Sequence, residues 1–103
     1  MNIERHDKLE PTAAAPLGIV APIINQVTVH QGVVYVSGVT AHPIRLGDIK
    51  QQTSDVLAQI DVLLAKAGTS KANLLSAQVW LTDMGLFSAH NEAWNAWVDP
   101  HNA

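Results

Sequence analysis

The chain has 103 residues, nine acidic and six basic side chains, a net charge of -3 and a pI near 5.9. One domain of this length buries roughly 60 to 70 per cent of its unfolded surface, and residues 1–103 read as that single domain. The basic residues are scattered and leave no electrostatic footprint for nucleic acid. With no cysteine, the sequence excludes disulfides, thiolate metal sites and a cysteine nucleophile.

Met1 to Glu10 is charged, and the apolar stretches are of strand length. Neither a secretion signal nor a membrane span is expected, which predicts a soluble cytoplasmic protein. A short first strand is expected near Ile3. Pro11 to Pro22, with three alanines in a row, reads as an irregular connection. It is too apolar for a solvated linker, so Leu17, Ile19, Val20, Ile23 and Ile24 are expected to cover an edge or line a pocket. The runs Val27 to Gln31 and Val33 to Gly38 are β-branched and meet at Gln31-Gly32, which predicts a hairpin. Val33-Val34-Tyr35-Val36 is apolar on both faces. Such a strand is expected at the centre of its sheet, covered by helices on one side and, in so short a chain, by another subunit on the other.

From Gly47 onward the pattern changes to helix, strand, helix. Ile49, Val56, Leu57, Ile60, Leu63, Leu64 and Ala67 recur at three- and four-residue steps, with Gln51, Gln52, Ser54, Asp55 and Asp61 on the other face. Asp48 is placed to cap this helix, Gln51 to reach back, and Gly68 to end it. After the turn Gly68 to Lys71, Leu74 to Leu81 alternates. Leu75, Ala77, Val79 and Leu81 face one way, while Ser76, Gln78 and Trp80 face the other, which predicts a half-buried strand. Asp83 then precedes a second helix whose stripe is Phe87, Asn91, Trp94 and Val98, stopped at Pro100.

Taken alone, the side chains offer little chemistry. His6, His30, His42, His90 and His101 lack ligand spacing or carboxylate pairing, so no metal is expected. His42, in Thr40-Ala41-His42-Pro43, has the only site-like neighbours, and an ordinary loop histidine is the simpler reading. Ser37 and Gly38 close a strand where a glycine admits a ligand and a hydroxyl can orient a polar group. No acid or base lies near them in sequence, and a plain strand-ending turn is the default reading. Asn91 on an apolar stripe needs a partner, either a loop backbone or a site it supports. Trp80, Trp94 and Trp97 suit a core or an interface better than a base-stacking surface.

Taken together, Gly32-Val33-Val34-Tyr35-Val36-Ser37-Gly38, the stretch from Gly47-Asp48-Ile49 to Ala67-Gly68, and Leu81-Thr82-Asp83-Met84 with Phe87 and Asn91-Glu92 resemble the YjgF or Rid (reactive intermediate deaminase) family. The resemblance covers Gln26 to about Val98. Ala58-Gln59-Ile60-Asp61 and Ala93-Trp94-Asn95-Ala96-Trp97-Val98 are most similar to its YoaB-like branch. It implies an α+β, chorismate-mutase-like fold: a mixed sheet with two helices packed on one face, the other face packing in a homotrimer. The implied ligand is a small imine, enamine or carbonyl metabolite held between subunits, with hydrolysis to a keto acid and ammonia and no cofactor. Ligand-binding positions carried over by the resemblance are Ile24, Ser37, Gly38 and Asn91.

Departures from the family pattern bear on activity. The family's arginine and glutamate would fall beyond Ala103, its final strands are likewise expected to be absent from the sequence, and no catalytic residue is assigned. Either the chain is a piece of a longer product or another chain completes its sheet. The family's site tyrosine aligns with Ile24 and its site lysine with Ser76, which makes the pocket less attractive to carboxylates. A non-catalytic binding or interaction module on the same trimeric scaffold is therefore the alternative. The endoribonuclease or translation-inhibitor activity also attributed to the family would need a basic groove that the sequence lacks.

Overall fold

The β-branched runs pair where their alternation and the turn between them demand. The computed structural model describes residues 3–9, 23–41 and 48–103. Among them β1 (Ile3–Leu9), β2 (Ile24–His30) and β3 (Val33–Val36) form an antiparallel sheet in the order β1-β2-β3. Gln31 and Gly32 join β2 to β3 with positive φ at both residues, 50° and 77°, the two-residue loop whose twist matches that of the strands. This sets His30 opposite Val33 and Val27 opposite Val36. Val27, on the middle strand, is fully buried.

β1 carries one irregularity. Asp7 has φ 53°, yet the register is unchanged on either side, His6 facing Val27 and Lys8 facing Asn25. Aspartate tolerates the left-handed region better than most residues. Both Asp7 carboxylate oxygens accept from Lys66 Nζ, at 2.8 and 3.0 Å, which ties β1 to the end of the first helix.

That helix, α1 (Ile49–Lys66), begins and ends on its expected signals. Asp48 Oδ1 accepts from the Gln51 amide at 3.1 Å, and Gly68 takes φ 79° just beyond the last turn. Leu57, Leu63 and Leu64 are buried from the predicted face, joined by Thr53. α1 packs on β2 and β3, while α2 (Phe87–Trp97) packs on α1. Two short 3-10 turns, Lys71–Asn73 and Met84–Leu86, lie between them. No helix among the described residues is long and apolar enough to cross a membrane.

Three expectations need correction. β3 is at the edge of the described sheet rather than its centre, and Tyr35 is 56% exposed. Its apolar faces could not reveal that no described strand lies beyond it. Leu74 to Leu81 has no regular secondary structure and joins no sheet among the described residues, whose three strands are all antiparallel. Leu75 is 83% and Trp80 89% exposed, so neither face is covered, because no described residue flanks the segment to supply ladder bonds. In α2, the buried residue is His90 rather than a member of the Phe87 stripe, and Phe87 is 50% exposed. The helix turns Ala93 and Trp97 toward Ser54 and Asp61 of α1 instead. Residues 10–22, including Leu17, Ile19 and Val20, lie outside the described residues, as does His42.

Candidate functional site

The open end of the hairpin gathers three of the four expected ligand-binding residues. One hydrogen bond continues the β2-β3 ladder past β3, from the Ser37 amide to the Gln26 carbonyl at 2.9 Å. This places Ser37 and Gly38 beside the start of β2, where Ile24 is 38% exposed and pairs with Leu9 of β1. A Cβ at Gly38 would meet no atom within 4 Å, so the backbone there opens onto free space. Ser37 Oγ is buried and has no hydrogen-bond partner among the described residues. A buried hydroxyl left unsatisfied is costly, and it is the one polar side-chain atom of this kind among the described residues.

The loop carrying these residues is pinned from α1. Gln59 Nε2 donates to the Thr40 carbonyl at 2.8 Å and to Asp55 Oδ2 at 3.2 Å, and the neighbouring Ala41 is buried. Gln59 was not a candidate from its residue type. Its place in the run Ala58 to Asp61 carried only a resemblance and no role.

Asn91 stands apart from this group. It rides on α2, and among the described residues no hydrogen bond joins it to the hairpin. Its Oδ1 lies 3.2 Å from Nδ1 of buried His90. An amide oxygen only accepts, so a hydrogen bond here requires the His90 tautomer that holds its proton on Nδ1. Among the described residues this neighbour contact, rather than a loop backbone, is the side-chain partner of Asn91. Ser76 is exposed on the unpaired segment.

The electrostatics of the chain lie mostly elsewhere. Lys50 and Glu92 pair across α1 and α2, and the hydrogen bond and charge of Glu92 raise the Lys50 pKa. Asp99 is held below the usual carboxylate range, chiefly by the Asn102 side-chain amide and then by the His101 backbone N–H. Trp97 Nε1 donates to Asp61 Oδ2 at 2.9 Å while Lys71 Nζ sits 5.0 Å from the centroid of the same ring. Among the described residues no three His, Cys, Asp or Glu side chains gather to hold a metal. Among the described residues no acid or base hydrogen-bonds to the Ser37 hydroxyl.

Residues 18–103 match the family model described as endoribonuclease L-PSP. The chain belongs to this family, the YjgF or Rid group. A RutC family protein of Haemophilus influenzae is 38% identical over 76 residues, 74% of this chain and 66% of the relative. The RutC family protein YoaB of Escherichia coli is 41% identical over 75 residues, 72% of this chain and 63% of that protein. The chain therefore spans about two thirds of the length of these curated relatives. Among solved structures, NMB1025 of Neisseria meningitidis, a member of the YjgF protein family, aligns at a TM-score of 0.78 and 30% identity, covering 100% of this chain and 75% of that one. The YjgF likeness establishes the chorismate-mutase-like α+β fold.

Proposed function

We propose that this YjgF/Rid-family chain assembles as a homotrimer that binds a small imine, enamine or carbonyl metabolite at its subunit interfaces, with hydrolysis to a keto acid and ammonia as its reaction. The observation carrying this reading is the Ser37 hydroxyl, buried without a partner beside the open backbone of Gly38. A carbonyl oxygen or imine nitrogen is the size and polarity of group that this hydroxyl could satisfy. Ile24, half-exposed next to it, supplies an apolar wall that a second subunit can close.

Sedimentation analysis combined with ammonia and keto-acid release from freshly generated 2-aminoacrylate tests the proposal. A trimer that releases both products well above the uncatalysed rate supports it; a monomer that releases neither overturns it. Asn91→Ala separates site from scaffold, since loss of the trimer with ligand binding per assembled site unchanged makes Asn91 structural.

A second reading is a binding module without chemistry, favoured by Ile24 and Ser76, which stand where the family resemblance expects a phenol and an ammonium. Ligand binding without product release supports that reading.

A further inference from the structure

Two hydrogen bonds bracket the corner at Ser37 and Gly38. At its start the Ser37 amide donates to the Gln26 carbonyl at 2.9 Å, and further along the loop the Thr40 carbonyl accepts from Gln59 Nε2 of α1 at 2.8 Å. Ala41, next in the chain, is buried and holds the same end. Gly38 lies between the two fixed points, and a glycine left unheld has more backbone states to sample than any other residue. The second anchor therefore decides how much of that freedom survives.

Gln59 is aimed at this anchor by its own helix. Asp55 stands one turn earlier, and its Oδ2 accepts from the same Nε2 at 3.2 Å. A carbonyl and a carboxylate only accept, so the nitrogen of the Gln59 amide, and not its oxygen, must face them. The two N–H bonds of that nitrogen point apart in one plane, and fixing one on Asp55 directs the other at Thr40. A glutamine side chain otherwise keeps several rotamers, and the bond within α1 removes part of that freedom before the loop is met.

We propose that Gln59, aimed by Asp55, is a positioning residue that holds Ser37 and Gly38 in the arrangement a carbonyl ligand meets. The inference rests on the proposed ligand site and adds to it a residue that acts through the Thr40 carbonyl rather than on the ligand. N–H donation is the property that matters, so a side chain of similar bulk without a donor fails and a different donor succeeds.

Three variants separate donation from bulk. Gln59→Leu keeps most of the volume and loses the donor, Gln59→Glu presents only acceptors at neutral pH, and Gln59→Lys donates from an ammonium long enough to reach both oxygens. Hydrogen exchange at the Ser37 amide reads the corner without any ligand, and pyruvate, the keto acid that 2-aminoacrylate yields on hydrolysis, reads it with one. Gln59→Leu and Gln59→Glu are each expected to speed Ser37 exchange and to weaken pyruvate binding at neutral pH by about fivefold, the usual worth of one hydrogen bond, with Gln59→Lys within about twofold of the parent. In Gln59→Glu alone, the deficit relative to the parent at the same pH is expected to shrink on acidification, as the introduced carboxyl gains a proton to donate, and the neighbouring Asp55 charge favours that uptake. Exchange and affinity unchanged in Gln59→Leu overturn the proposal, and so does equal loss in all three variants, which would make bulk rather than donation decisive. If the parent binds no pyruvate while Ser37 exchange follows the expected order, the ligand reading fails and the positioning stands; pyruvate binding with Ser37 exchange unmoved by the variants does the reverse.

Discussion

Ser37 and Asn91 are polar residues in half-buried places, and they stand in opposite situations. The hydroxyl of Ser37 finds no partner among the described residues, whereas the amide of Asn91 lies against the His90 ring. Removing a buried hydroxyl that has no partner should be neutral or stabilising by up to about 1 kcal/mol. Ser37→Ala is therefore expected to unfold at the same or higher urea concentration while losing affinity for a carbonyl ligand, and a drop in stability would show that the hydroxyl is satisfied in solution. Asp99 behaves differently again. Its lowered pKa means that the Asn102 and His101 bonds support the C-terminal turn above the ordinary carboxylate range, and that this support disappears as pH falls through the folded-state value. Following the His101 amide by NMR during acid titration should show the turn loosening below that range, and Asp99→Asn should remove the transition.

At the scale of elements, α1 was the most legible, because its cap, periodicity and stop signal are all local. Asp48→Ala is expected to cost about 1 kcal/mol in a urea melt, as is usual when an N-cap side chain is removed. The hairpin was equally readable, since Gln31-Gly32 sits between two β-branched runs. What local pattern cannot supply is neighbours. The alternation of Leu75, Ala77, Val79 and Leu81 says which side chains share a face, but not whether a strand flanks them, and among the described residues none does. β3 stands at the edge among the described residues for the same reason, its double apolar character saying nothing of which strand lies on its outer side. In α2 the error was one of phase. Tryptophans at 94 and 97 and alanines at 93 and 96 allow more than one inward stripe, and the bond from Trp97 to Asp61, 36 residues away in sequence, selects one of them. The candidate site was half readable for the same reason. Ser37 and Gly38 announce themselves at the end of a strand, whereas the pinning of their loop by Gln59 depends on a contact between residues 19 apart.

Across the whole molecule, the described residues bury few large side chains completely, Val27 foremost, with Leu57, Leu63 and Leu64 nearly so. Leu57 is 5% exposed on the helix that meets both the sheet and α2, and Leu57→Ala is expected to destabilise by roughly 2–5 kcal/mol in denaturant unfolding. So large a loss would leave a domain of this size marginal, because total stabilities are only about 5–15 kcal/mol. The arrangement of contacts has one more consequence. The hairpin leans on α1, α2 leans on α1, and the Asp7–Lys66 clasp fastens β1 to the same rod. A protease nick between residues 50 and 66 would thus orphan both halves at once, so digestion should proceed in a single step from intact polypeptide to small peptides, with no long-lived fragment between.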